Sequence, residues 1–153
     1  MSRNLEEAQR WFSQAQYDLQ AARVNEQNGI YSWACFLCQQ SAEKALKAFL
    51  YAQGEGPVIG HSSFRLAQEC VTFDPEFAAI ERDCKKLDGY YIPTRYPNGL
   101  PGGVPHEVYD EIDASEALEA ASAVLSLITL KMSPANGTQE IDGPGEDSVS
   151  STS

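Results

Sequence analysis

The sequence predicts an all-α fold, an antiparallel up-and-down four-helix bundle with a short additional helix. Three observations carry this expectation. Apolar residues recur at steps of three and four through long stretches of the 153-residue chain, the period of one helix face. Asn, Gly and Pro gather between those stretches, where turns are made. There is no convincing strand and no internal repeat. Residues 1–132 are expected to form one helical domain, and residues 133–153 a disordered acidic tail.

The first helix is expected from about Asn4 to Glu26. Leu5, Ala8, Phe12, Ala15, Leu19 and Ala22 form its apolar stripe, with Arg10, Gln14, Asp18 and Arg23 between. Asn28-Gly29 supplies a stop and a turn. The second helix, about Ile30 to Ala52, places Tyr31, Cys35, Cys38, Ala42, Ala45, Leu46 and Phe49 at helical spacing and ends at Gly54-Glu55-Gly56-Pro57. Two long helices joined by so tight a link pack antiparallel.

A shorter third helix follows His61, with Ser62 or Ser63 as its cap and Phe64, Leu66, Ala67 and Cys70 apolar. Asp74-Pro75 reads as an N-cap with proline at the first helical position. It opens a fourth helix, Pro75 to about Tyr90, carrying Phe77, Ile80, Cys84 and Leu87 on one face. Pro93, Pro97, Pro101 and Pro105 then forbid a regular helix, while Gly99, Gly102 and Gly103 allow sharp turns. Asp113-x-x-Glu116 reads as a capping box opening the last helix. That helix presents Ala114, Ala117, Leu118, Ala121, Val124, Leu125 and Ile128, up to about Met132. Beyond Pro134 the chain is Gly, Ser, Thr and acid, too polar to offset its ordering entropy by burial.

Hydrophobic residues make up 42% of the chain, enough for a core, and the net charge is −11. Glu140, Asp142, Glu146 and Asp147 supply −4 of this from the tail. Such acidity argues against broad non-specific nucleic-acid binding, which needs a positive surface. No signal peptide and no apolar run of membrane-spanning length is visible, so a soluble cytoplasmic protein is expected, with no membrane partner. Cys35, Cys38, Cys70 and Cys84 are then expected to be reduced and to act as small buried apolar groups rather than as a metal site.

Two helices carry a specific resemblance. Ala8 to Ala22 reads A-x-x-W-F-x-x-A-x-x-D-L-x-x-A, and Trp33 to Leu50 reads W-A-C-F-x-C-Q-Q-S-A-E-K-A-L-K-A-F-L. With Gly60-His61-Ser62 and the run Y-Y-I-P-T-R-Y-P from Tyr90 to Pro97, the chain resembles the HEPN family over about Asn4 to Met132. The resemblance is to the stand-alone prokaryotic branch related to the terminal domain of sacsin. It implies the HEPN fold and a homodimer. It implies further that the protein is either an RNase, often a toxin beside a minimal nucleotidyltransferase, or a non-catalytic module that binds nucleotides or a partner.

Catalytic members of that family carry R-x(4–6)-H. The Arg neutralises charge on the scissile phosphate, and the His moves a proton to or from the ribose hydroxyl or leaving oxygen. Counted from Arg95, the His positions are occupied by Leu100, Pro101 and Gly102, and ten residues separate Arg95 from His106. Arg82 and Arg65 find no His at the required distance either. The expected function is therefore a non-catalytic dimer that binds a nucleotide such as GTP or ATP, or another phosphate ligand, or that partners a nucleotidyltransferase. The alternatives are a metal-independent RNase using Arg95 with His106 or His61, and a purely structural dimerisation module.

No catalytic set, metal site or cofactor is expected. The candidate ligand-binding residues are Arg95, Tyr96, Tyr91, Lys44 and Lys47. A guanidinium beside aromatic rings suits phosphate capture, with a base stacked on tyrosine; Tyr91 is also a candidate for bundle packing. Lys44 and Lys47, three apart on the second helix, would add positive charge. One of Gln39 and Gln40 is expected to hydrogen-bond across the bundle or to the proline loop, and His61 to serve helix entry.

Overall fold

A computed structural model describes residues 2–133, and these are helical with no strand among them. The expected disordered segment, 133–153, lies outside the described residues apart from Ser133. Helix α1 spans Ser2–Gln27, α2 Tyr31–Ala52, α3 Ser63–Val71, α4 Glu81–Asp88, α5 Pro105–Val108 and α6 Glu111–Met132. Short 3-10 turns cover Pro75–Ile80 and Pro97–Gly99.

The α1–α2 hairpin closes at Gly29, whose φ of 77° places it in the left-handed region that glycine occupies without strain. Its two helices run antiparallel: Asp18 meets Lys44, while Trp11, further back in α1, stacks on Tyr51, further on in α2. Ala8, Ala15 and Ala22 of the predicted stripe are fully buried. The small Ala15 lets the backbones approach, and Ser41 Oγ donates to the Ala15 carbonyl at 2.6 Å. Asp18, read in the sequence as part of the polar face, is buried and ion-paired.

Helix α2 is the central element, packed against α1, α3, α4, α5 and α6. All its predicted apolar residues after Tyr31 are buried, and so are Gln39, Ser41, Glu43 and Lys47. Each of these polar groups has a partner, as burial without one costs several kcal/mol.

The expected fourth helix is divided. Asp74 caps it through Glu76 N–H as read, with Pro75 next, but Pro75–Ile80 winds as 3-10 before α4 begins at Glu81. A 3-10 turn aligns residues three apart, and this sends Phe77 and Ile80 together into the core, Phe77 lying 4.5 Å from Phe49. The last helix starts one turn earlier than expected. Asp110, extended at φ −121°, accepts from Asp113 N–H while Asp113 accepts from Asp110 N–H. The capping box is thus Asp110/Asp113 rather than Asp113/Glu116. Tyr109 packs edge-on against Tyr90 at 6.1 Å and so anchors the chain just before that cap.

The four thiols are buried and free. Burial, with Asp113 and Asp110 nearby, pushes the Cys35 thiol up to about 12. Burial raises Cys38, Cys70 and Cys84 further still, so all four are protonated at neutral pH and pack as small apolar groups.

Candidate functional site

The proline-rich segment after α4 is not featureless. Tyr90 and Thr94 point inward and are buried. Thr94 Oγ1 donates to the Tyr90 carbonyl, and Arg95 N–H and Tyr96 N–H both reach the Ile92 carbonyl, at 3.0 and 3.2 Å. This knot of backbone bonds fixes where Arg95 leaves the chain.

The Arg95 side chain folds back over its own turn. Its Nε donates to the Tyr91 carbonyl at 2.8 Å. The guanidinium carbon lies 4.3 Å from the Phe36 ring centre, 4.8 Å from Tyr91 and 5.2 Å from Tyr96. Such a cluster attracts the cation through the ring faces and suits the flat guanidinium. Arg95 makes no ion pair among the described residues. Its terminal nitrogens are therefore held in place without a protein anion. Trp33, 47% exposed, and Tyr96, 50% exposed, extend the aromatic surface around it, Trp33 meeting Phe36 edge-on at 5.7 Å.

A second group meets this cluster from the start of α3. Ser62 is the N-cap, accepting from Arg65 N–H. Asp88, the last residue of α4, accepts from Ser62 Oγ and Ser63 N–H, both at 2.6 Å, and from Phe64 N–H at 3.1 Å. A carboxylate at a helix N-terminus is favoured by both the free N–H groups and the dipole. It pins the preceding residue, His61, whose ring stacks on Tyr91 at 5.2 Å with 17° between planes. The His61 carbonyl accepts from Gln39 at 2.8 Å, so Gln39 serves the α2–α3 connection and not the proline loop. Nδ1 of His61 lies 3.2 Å from Glu43, which is buried and also takes Lys47 Nζ at 3.1 Å.

Three of the residues singled out from sequence, Arg95, Tyr91 and Tyr96, thus meet in one cluster. Lys44 and Lys47 do not join them as free cations. Lys44 is paired with Asp18 at 2.6 Å. Lys47 is buried, paired with Glu43 and set 5.2 Å over Trp11. Each positive charge is matched by a carboxylate within the α1–α2 layer, and Lys47 touches the Arg95 region only through Glu43. His106 sits in α5, and its side chain makes no hydrogen bond, ion pair or ring contact among the described residues.

Sequence reasoning missed two members. Phe36 falls one turn beyond Trp33 and outside the Tyr31–Cys35–Cys38 stripe, which marks an aromatic side chain facing something other than the main core. Glu43 gave no signal beyond its four-residue spacing to Lys47. A concavity of about 900 Å³ opens along α1 between Glu7, Trp11, Gln14 and Lys44 and includes no residue of the Arg95 cluster.

Comparison with known proteins agrees with this architecture. The HEPN domain profile matches residues 8–132. Human sacsin is 28% identical over 123 residues, which is 78% of this chain, and the chain spans only 3% of sacsin's length. Among solved structures, TT1696 from Thermus thermophilus is 37% identical with a TM-score of 0.74, covering 82% of this chain and 98% of that one. The archaeal HEPN homologue ST0689 is 38% identical with a TM-score of 0.68, covering 82% and 97%. A HEPN domain protein from Thermotoga maritima is 27% identical with a TM-score of 0.63, covering 82% and 98%. Among the described residues no helix is long and apolar enough to cross a membrane.

Proposed function

This chain belongs to the HEPN domain family, and from that premise we propose that it is a non-catalytic, cytoplasmic homodimer that binds a nucleotide or similar phosphate-bearing ligand at Arg95. One observation carries the reading: a guanidinium held by three aromatic rings and one carbonyl, with no anion of its own among the described residues. An arginine fixed in this way has lost its side-chain entropy before the ligand arrives, so an incoming phosphate keeps more of its gain. Tyr96, half-exposed beside it, offers a face on which a base stacks. Tyr91 forms the platform beneath. Lys44 and Lys47 take no direct part, because Asp18 and Glu43 already neutralise them.

Calorimetric titration of wild type and Arg95→Ala with GTP and ATP tests this. Binding by wild type and at least tenfold weaker binding by the variant support it; equal heats from both remove Arg95 from the role. Light scattering tests the dimer. A dimer that ignores every nucleotide would point to a structural module, or to a helical partner for a nucleotidyltransferase, which co-purification with such an enzyme would reveal.

A second reading, metal-independent RNA cleavage, is favoured by one contact: His61 and Arg95 both pack on Tyr91. In that reading His61, rather than His106, would transfer the proton. Its position before Arg95 in the chain departs from the R-x(4–6)-H order. A labelled RNA that survives incubation with wild type rules this reading out.

A further inference from the structure

We infer that His61 is a second ligand-contacting residue of the Arg95 site and accepts a hydrogen bond from a ribose hydroxyl of the nucleotide. This rests on the nucleotide reading given above. The imidazole and the guanidinium both lie against the Tyr91 ring, at 5.2 and 4.8 Å from its centre. The two groups differ in what they offer. Arg95 is a donor only, and a phosphate is its natural partner.

His61 is oriented from behind. Glu43, whose side chain is 4% exposed, lies 3.2 Å from Nδ1. An ionised carboxylate only accepts hydrogen bonds, so Nδ1 carries a proton and donates. Lys47 Nζ, 3.1 Å from the same carboxylate oxygen, balances the charge of Glu43. Glu43 therefore fixes the direction of the ring. In the neutral ring Nε2 is a lone pair. It makes no hydrogen bond among the described residues, and the side chain is 62% exposed. A lone pair is repelled by phosphate oxygens and satisfied by an O–H. Beside a phosphate held on Arg95, the O–H donors of a nucleotide are the ribose 2′ and 3′ hydroxyls.

The test is calorimetry with GTP and ATP, each beside its 2′-deoxy and 3′-deoxy analogues, on wild type, Arg95→Ala and His61→Ala. Wild type is expected to bind one of the two deoxy analogues about five- to tenfold more weakly than the parent, the effect of one hydrogen bond. His61→Ala is expected to bind parent and analogues alike, at the affinity of that weaker wild-type complex. The analogue affected identifies the hydroxyl. Equal binding of parent and both analogues by wild type overturns the role of His61 and leaves the Arg95 reading intact. So does discrimination that persists in His61→Ala. Failure of wild type to bind either nucleotide, or equal binding by Arg95→Ala, overturns both. An independent readout needs no change at His61. In His106→Ala, His61 is the remaining histidine of the two, and its ¹⁵N Nε2 resonance should move on adding the parent nucleotide and not on adding the weak analogue. A resonance that moves with neither, under saturating nucleotide, overturns the contact.

Discussion

Replacing Arg95 by lysine keeps the charge and removes the geometry, so it asks whether the cluster is built or incidental. The Nε–H to Tyr91 carbonyl bond, at 2.8 Å, has an ionised donor. In a half-buried setting it contributes about 1.5 kcal/mol, the low end for charged hydrogen bonds. The contacts with Phe36, Tyr91 and Tyr96 add about 1 kcal/mol together, as expected for partly exposed cation–π pairs. A lysine ammonium has no planar fork and no Nε–H at that position. Arg95→Lys should therefore lower the unfolding free energy by about 2 kcal/mol, and Arg95→Ala by slightly more. Urea denaturation at pH 7, with the denaturant slope unchanged, measures the difference. An ordinary surface arginine costs less than about 0.5 kcal/mol to replace. A value for Arg95→Lys inside that limit would refute the idea that the guanidinium is held in place before any ligand arrives.

Glu43→Gln should destabilise the fold by about 3–5 kcal/mol, because it leaves the buried Lys47 without its counter-charge. Glu43→Gln combined with Lys47→Met should cost less than Glu43→Gln alone, and chemical denaturation of these two and of Lys47→Met alone closes the cycle. Asp88→Ala removes acceptors from Ser62 Oγ, Ser63 N–H and Phe64 N–H; a loss of about 2–3 kcal/mol is expected, together with faster amide exchange at the start of α3. The Asp74 carboxyl is held below its ordinary range, first by its hydrogen bond with Lys131 and then by Glu76 N–H. A depressed carboxyl stabilises the fold above its unfolded pKa, near 4, and that stability is lost as pH falls through the lower folded value. Asp74→Asn should accordingly be less stable than wild type at about pH 6, with the gap closing on acidification below about pH 4. A gap that stays constant across the titration contradicts this.

Much of the fold is legible because helix faces repeat locally. Ala8, Ala15 and Ala22, or Cys35, Cys38 and Ala42, announce burial by spacing alone, and every one of them is buried. Asp74-Pro75 and Asn28-Gly29 are equally local, since capping and left-handed turns depend on a few adjacent residues. Where two local solutions compete, the sequence leaves a tie. Asp110-x-x-Asp113 and Asp113-x-x-Glu116 both fit a capping box, and the packing of Tyr109 on Tyr90 selects the first. Likewise an i,i+3 pair such as Phe77 and Ile80 suits either an α- or a 3-10 turn. The core beside Phe49 takes the tighter one.

The candidate site is less legible for the same reason. Arg95, Tyr91 and Tyr96 are neighbours in sequence and could be read together. Phe36, Glu43 and His61 come from elsewhere in the chain, and the partners of a charge are invisible until helices are placed. Lys44 and Lys47 look like free positive charges because Asp18 lies a whole helix away and because nothing local shows that Glu43 is buried. By itself, then, the sequence determined the long helices, their buried apolar faces, the Asp74 cap and the family, but not the 3-10 turn before α4, the short α5 at Pro105–Val108 or the Asp110 cap. Only the tertiary structure decided that Lys44 and Lys47 are already paired and that Arg95 is held on three aromatic rings with no ion pair among the described residues. Burial and pairing depend on distances between elements, and those distances are set when α2 is enclosed by its neighbours.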